Sequence, residues 1–212
     1  MPTMSVAPPE EPGDSEPSAL DEAPPESGFT TPEAVAEMAR ACVRFVQVAT
    51  GLELDFTPET LPLLDHYVAT RREELLQKPE LIGLLARAAG AYFGEVVRRR
   101  IRSFWHLGSD DPATWEIRVE PAYLAFSPVG VAYDAVTHGD EEGPTAHLQL
   151  DDEDREAVEL RLAELPSASD EEFFAFSTRL EVLEIAVDAI KARMMSSGLG
   201  EVAFTNADYD EN

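Results

Sequence analysis

The alternation of apolar and polar residues divides the chain into helices and short strands around one mostly apolar segment. Residues 81–101 read LIGLLARAAGAYFGEVVRRRI, with only two charges, Arg87 and Glu95, ahead of the closing arginines. A helix that is apolar on all sides is covered by the rest of a protein on most sides, so the segment predicts a central helix. Gly90 and Gly94 share one of its faces, which predicts a close crossing with another backbone.

Two amphipathic helices are predicted ahead of the central helix. Each begins at a threonine–proline pair, Thr31-Pro32 or Thr57-Pro58, because threonine is a good N-cap and proline suits the first helical position. Their apolar stripes are Val35, Met38, Cys42, Phe45 and Ala49 in the first helix, and Leu61, Leu64, Val68 and Leu75 in the second. Both stripes predict one buried face, and Cys42 is interpreted as a core residue rather than a nucleophile.

From residue 103 to residue 150 the pattern is typical of short strands. Apolar residues alternate with charged ones over residues 115–120, which predicts a strand with one wet face. Residues 123–126 indicate a second, mostly buried strand. Residues 128–138 have helical spacing after a serine–proline start, and residues 146–150 are interpreted as another short strand.

Two helices are predicted to close the chain. The first begins at Asp151 or Asp152 and ends at Pro166, and Ser169 with Glu172 forms a capping box for the second. Seven apolar residues of the last helix repeat at alternating spacings of three and four: Phe173, Phe176, Leu180, Leu183, Val187, Ile190 and Met194. Such a seam fits packing along a helical bundle. The alternative is a homodimer interface through residues 173–194.

Composition sets the boundaries of the folded part. The first 28 residues contain seven prolines, seven acidic residues and no basic residue, and such a segment cannot bury enough apolar surface to become ordered. We expect a disordered acidic, proline-rich tail over residues 1–29 and a loose acidic C-terminal tail over residues 199–212. Residues 30–198 are expected to form one α+β domain that is mostly helical, with a small antiparallel sheet.

The charge balance limits the class of partner. The chain has 42 acidic and 16 basic residues, a net charge of −26 at pH 7, which repels nucleic acid and anionic membranes and attracts basic proteins. The alternative explanation of this charge is solubility alone. A single cysteine excludes an intrachain disulfide and favours a reducing, cytoplasmic location. We therefore expect a protein partner, with no nucleic acid and no membrane.

The sequence carries no motif for a metal, a cofactor or a known catalytic apparatus. Its four histidines lack the spacing of a zinc site, and the glycines of residues 81–101 lie within a helix rather than in a phosphate-binding loop. No catalytic residue, metal or cofactor is predicted.

Glu95 carries the strongest functional indication, because a carboxylate on an apolar helix must be paired or protonated. The only basic cluster of the chain follows it, and Trp105 comes shortly after. The candidate partner-binding residues are Glu95, Arg98, Arg99, Arg102 and Trp105. A structural ion pair, with Arg99 or with an arginine of another helix, is the first alternative. An enzyme site between Glu95, Arg98 or Arg102 and Trp105 is the second.

One stretch resembles a known pattern. Gly90-Ala91-Tyr92-Phe93-Gly94-Glu95, followed by Trp105, resembles uncharacterised bacterial domain families in which a G-A-Y-x-G-E helix precedes a short strand opened by a tryptophan. In layout the resemblance covers residues 55–190. It implies a bacterial origin and an α+β fold, and it carries no agreed activity and no catalytic residue. It does not extend to the acidic tail or to the insertion around residues 110–112.

These observations favour a non-enzymatic, acidic protein-binding protein of the bacterial cytoplasm. An immunity or inhibitor protein that binds a basic toxin belongs to this class, and so does an adaptor. One alternative is an enzyme of unknown reaction with a site near Glu95 and Trp105. Another is a homo-oligomeric structural component that associates through residues 173–194.

Overall fold

The long helix Pro79–Arg100 is the element on which the core is built. The computed structural model describes residues 30–139, 143–166 and 168–210. Within this helix every residue from Ala88 to Arg98 is buried, because two other helices pack closely on it. The predicted central helix is therefore confirmed, and its apolar surface on all sides is the reason for its position.

The described residues form eight α-helices and four β-strands. The helices are α1 Glu33–Thr50, α2 Leu61–Leu76, α3 Pro79–Arg100, α4 Pro128–Thr137, α5 Asp152–Leu162, α6 Asp170–Phe173, α7 Phe176–Ser196 and α8 Asn206–Asp210. The strands are β1 Ser103–His106, β2 Glu116–Val119, β3 Leu124–Phe126 and β4 Gln149–Leu150. Short 3₁₀ turns, Pro58–Thr60 and Pro112–Thr114, precede α2 and β2. The predicted α+β fold, mostly helical with a small antiparallel sheet, is confirmed.

The sheet is a simple antiparallel meander in the order β1-β2-β3-β4. Trp105 of β1 pairs with Ile117 of β2, and Ile117 pairs in turn with Phe126 of β3. The alternation that predicted a strand over residues 115–120 produces β2. Its predicted wet face is wrong, since Arg118 and Glu120 are buried and the Arg118 guanidinium pairs with Asp210 of α8. The last strand, β4, keeps only two residues of the predicted 146–150, and it pairs with β3 through both of them.

Helix α1 buries a different stripe from the one predicted. Val35 and Cys42 are buried as expected, but the other buried positions are Ala39 and Val46. Met38, Phe45 and Ala49 were predicted for this stripe. Met38 and Phe45 lie half-buried at the edge of the core, and Ala49 is exposed. Helix α1 packs closely on α3, and its buried residues define the face that takes part in the core. In α2 all four residues of the predicted stripe are buried.

The apolar seam of the last helix is buried within the chain. Six of its seven residues are buried on α7, which packs against α2, α4 and α5. The seventh, Phe173, is exposed because it belongs to the short helix α6, which ends before α7 begins. Packing within one chain therefore accounts for the seam. A homodimer through residues 173–194 stays a prediction and would have to use the other faces of α7.

Asp65 of α2 fixes the start of α7 by capping it from a distance in sequence. Its carboxylate accepts hydrogen bonds from the backbone N–H of Phe176, at 2.6 Å, and from the hydroxyl of Ser177, at 2.7 Å. Burial raises the pKa of the Asp65 carboxyl, although the hydrogen bonds from Ser177 and Phe176 act in the opposite direction. This contact gives α7 its register relative to α2.

The structure differs from the predicted loose C-terminal tail. The backbone N–H of Phe204 donates to the carbonyl of Glu120 at 2.8 Å. The hydroxyl of Tyr209 in α8 accepts from the N–H of Leu124 at 2.9 Å, and its ring stacks on Tyr123 with the centroids 4.6 Å apart. Phe204 and Tyr209 thus supply the apolar surface and the hydrogen bonds that hold this segment against the sheet. The acidic composition of the segment did not indicate either contact. The predicted tail over residues 1–29 lies outside the described residues, as do residues 211 and 212.

Cys42 offers a direct test of the core. Its side chain is fully buried, and burial raises the pKa of the Cys42 thiol well above its usual range. Because the thiolate is the reactive form, we expect a thiol reagent such as a maleimide to label the native protein no faster than it unfolds. A Val48→Cys variant provides the control, since Val48 lies on the same helix and is 89% exposed. Rapid stoichiometric labelling of the native wild-type chain would contradict the core position of Cys42.

Candidate functional site

Glu95 lies near the C-terminal end of α3 in a fully hydrogen-bonded cluster. Its Oε1 accepts from Nε of Arg98 at 3.0 Å and from the indole N–H of Trp105 at 2.8 Å. Its Oε2 accepts from the hydroxyl of Thr31 at 2.8 Å. Three donors therefore meet one buried carboxylate, which satisfies the requirement that a charge on an apolar helix be paired.

Local sequence brings three of these groups together. Arg98 follows Glu95 by three residues and lies on the same helix face. Trp105 reaches the carboxylate because the backbone turns to an extended conformation at Ile101 and enters β1. Gly94 leaves the space for the indole, since a Cβ atom there would lie 2.3 Å from the Trp105 ring.

Thr31 is the member of the cluster that sequence reasoning missed. The sequence predicts it as the N-cap of α1, but Pro32 holds that position and no side chain caps the helix. The Thr31 hydroxyl instead donates to Glu95 and accepts from Nη2 of Arg98 at 3.1 Å. Thr31 and Glu95 are 64 residues apart. The only local signal at Thr31 was that of a helix start, so nothing in the sequence indicated this contact.

The geometry is that of a structural ion pair, the first alternative raised by the sequence, with Arg98 rather than Arg99 as the partner. Glu95, Arg98 and Trp105 expose only 5, 9 and 9% of their surfaces. A partner protein would therefore touch little of them without a rearrangement of their neighbours. Their predicted role in partner binding stays a prediction.

The basic cluster at the end of α3 does not form one site. Successive helix residues point about 100° apart, so the arginines diverge. The guanidinium of Arg99 lies 4.4 Å from the ring centroid of Phe56, away from Glu95. Arg102 pairs with Glu120, with Nη2 and Oε2 2.8 Å apart, although the two groups are not aligned for a hydrogen bond. The structure thus brings Glu95, Arg98 and Trp105 together and places Arg99 and Arg102 elsewhere.

A cleft of about 900 Å³ lies between the C-terminal end of α3, one face of α7 and residues 200–203. Gly198 and Gly200 both have positive φ, 79° and 71°, and turn the chain back along α7. The hydrogen bond from Phe204 to Glu120 then holds residues 200–203 as the second wall. We name this feature the α7 cleft.

The α7 cleft has an apolar lining and an excess of negative charge. Its exposed or half-buried apolar residues include Ile185, Met195 and Val202. Its charged residues are the acidic Glu120, Glu181, Glu184, Asp188 and Glu201 and the basic Arg100, Arg102 and Lys191. Two of the bases are neutralised within the chain, since Arg102 pairs with Glu120 and Arg100 pairs with Glu184. The Glu184 carboxylate also raises the pKa of the Arg100 guanidinium.

Comparison with known proteins places the chain in a family. Residues 14–150, more than half of the 212-residue chain, match a family described as a family of unknown function (DUF6278). The chain belongs to this family. No curated protein and no solved structure matches it.

The range matched by the family model includes the Glu95 cluster but not most of the α7 cleft. The Glu95 cluster and all four strands lie within residues 14–150, whereas α7 and residues 200–203, which form most of the α7 cleft, lie beyond them. A family of unknown function and an α+β fold agree with what the sequence resemblance implied. The G-A-Y-x-G-E motif itself stays a prediction.

A second cleft, of about 430 Å³, lies between α2, α4 and the start of α7. Two of its carboxylates are already used as helix caps, Asp65 on α7 and Glu172 on α6. Its arginine, Arg72, donates to the carbonyl of Ala135 at 3.1 Å. These three polar groups thus serve the packing of the helices.

Two kinds of feature are absent from the described residues. No three His, Cys, Asp or Glu side chains of that part of the chain are grouped as a metal ion would require. None of the helices in the described ranges combines the length and the apolar character needed to cross a bilayer.

Proposed function

We propose that this protein is a non-enzymatic protein-binding protein of the bacterial cytoplasm, acting as an adaptor or as an immunity or inhibitor protein, and that its partner is basic. The observation that supports the proposal is the way in which charge is distributed. At least nine of the 16 Lys and Arg side chains form ion pairs within the chain. The cations are thus largely used internally, and since 42 acidic residues face 16 basic ones, an excess of 26 negative charges is not neutralised by the cations of the chain.

Such a surface acts on a partner before contact. A field of one sign raises the rate of encounter with an oppositely charged protein, whereas the close contacts of the interface set the rate of dissociation. The cytoplasmic part of the proposal is supported by the single cysteine, Cys42, whose thiol is buried and free.

The association rate with a basic partner is expected to fall steeply with ionic strength. The reason is that the Debye length shrinks from about 10 Å at 0.1 M salt to about 3 Å at 1 M. The partner is first captured from a bacterial host at low salt and identified by mass spectrometry. Stopped-flow mixing at several salt concentrations then measures the association and dissociation rates.

The dissociation rate is the internal control of this experiment, because it should change much less than the association rate. A salt-independent association rate would mean that the charge serves solubility alone. The proposed attraction of a basic partner would then be wrong.

A further inference from the structure

We infer that the α7 cleft is the docking groove for a short basic, amphipathic segment of the partner. This inference rests on the proposed function and adds to it a site and the chemistry of the bound segment. The apolar side of the segment would lie on Ile185, Met195 and Val202, and its Lys or Arg side chains would meet the carboxylates of the walls.

The groove exists because α7 presents two faces. The seam face is buried against α2, α4 and α5. The second face, lined by Glu181, Glu184, Ile185, Asp188, Lys191 and Met195, is left for the cleft. Met195 is fourteen positions after Glu181, and at a rise of 1.5 Å per residue this face is about 21 Å long. A segment of about four helical turns matches that length.

The apolar lining is exposed and adaptable. Met195 is 67% exposed, and Val202 on the opposite wall is also exposed. Methionine side chains are flexible and polarizable, so they fit apolar surfaces of different shapes. Because nothing in the described residues covers this lining, an apolar side chain entering the cleft would remove it from water.

The charges of the cleft select a basic occupant. The ion pairs of Arg100 and Arg102 neutralise the end of the cleft that lies near α3. Glu181, Asp188 and Glu201 form no ion pair in the described residues, and Lys191 is the remaining cation of the lining. Glu181 and Asp188 lie two turns apart on α7, and Glu201 lies on the opposite wall, so cations of one segment can be met from both sides. An anionic ligand would face net repulsion here.

The test is the affinity of a fluorescein-labelled 14-residue peptide with leucines at helical spacing and lysines elsewhere. Fluorescence anisotropy at low salt measures its dissociation constant. The variant Asp188→Lys/Glu201→Lys changes one carboxylate on each wall. The matched control is Glu156→Lys/Glu159→Lys on α5, where both side chains are exposed and outside the cleft. Both variants change the net charge by the same amount, so the long-range field changes equally.

We expect the cleft variant to weaken binding by about tenfold or more, since it places like charges in direct contact, and the α5 variant by less than about threefold. A peptide in which serines replace the leucines should bind much more weakly than the amphipathic peptide. If a lysine variant does not fold, as judged by circular dichroism, the pair Asp188→Asn/Glu201→Gln against Glu156→Gln/Glu159→Gln takes its place.

Three results would overturn the groove and leave the proposed function standing. The first is an equal loss in the cleft and α5 variants, which would show that only the overall field acts. The second is equal binding of the serine and leucine peptides. Absence of binding by the wild-type chain at low salt would also overturn the groove. The proposed function is decided separately, by the salt dependence of association with the captured partner.

Discussion

Replacing Glu95 with alanine is expected to lower the free energy of unfolding by about 3–5 kcal/mol, the usual cost of removing one member of a buried ion pair. The substitution would leave the buried guanidinium of Arg98 without its carboxylate and the indole N–H of Trp105 without its acceptor. The cost arises because both groups have already lost their contact with water. Urea denaturation followed by circular dichroism measures the change.

Two further variants separate the charge from the hydrogen bonds. Glu95→Gln keeps an amide oxygen that can accept from Trp105 and Arg98, and its amide nitrogen can donate to the Thr31 hydroxyl, so we expect a smaller loss than with alanine. The double variant Glu95→Leu/Arg98→Met removes both charges. It should lower the free energy of unfolding by less than the sum of the losses measured for Glu95→Leu and Arg98→Met alone. Strict additivity, or an unchanged midpoint in Glu95→Ala, would mean that the pair contributes nothing to stability.

Replacing Gly90 with alanine is expected to destabilise the protein by about 1–3 kcal/mol through overpacking. A Cβ atom at Gly90 would lie 2.7 Å from the carbonyl oxygen of Pro128 and 2.7 Å from Cα of Val129. Both are backbone atoms of α4, so the helix itself would have to move. Helix propensity alone would favour alanine by about 1 kcal/mol, and we expect the clash to outweigh it.

Gly83 provides the matched control on the same helix. A Cβ atom there would have nothing within 4 Å, so Gly83→Ala should stabilise the protein by up to about 1 kcal/mol. Urea denaturation of the two variants side by side measures the contrast. Shifts of the same sign and size would mean that α3 and α4 do not cross closely at Gly90.

Much of the fold follows from local patterns in the sequence. The central helix α3 is predictable because its apolar residues cover all sides, which no surface helix tolerates. The alternation over residues 115–120 also produces the strand that it predicts, since it depends on neighbours within a few residues. The capping box at Ser169 forms, but it starts only the short helix α6 and not the long helix predicted to follow it, which begins separately at Phe176. The buried stripe of α2 is predicted for the same reason.

Which face of a helix is buried depends on the elements that pack against it and not only on its own sequence. The sequence predicts Met38 and Phe45 on the buried face of α1, and the structure buries Ala39 and Val46. Both choices give an apolar stripe, so periodicity alone cannot separate them. The packing of α1 on α3 separates them, and it is not visible in the periodicity of α1.

The candidate site is only partly predictable. The sequence requires a partner for Glu95, because a lone carboxylate on an apolar helix is unstable. It does not identify that partner. The turn after α3 brings Trp105 back to the carboxylate, and the packing of α1 brings Thr31 from 64 residues away.

The sequence by itself determined helices α1 to α5, strands β2 to β4, the central position of α3 and the negative charge, because each follows from composition or from spacing within a few residues. The tertiary structure alone decided how the arginines after Glu95 are divided among partners. It also decided the docking of Tyr209 on the sheet and the existence of the α7 cleft. These features join residues tens of positions apart in the chain, and only packing in three dimensions brings them together.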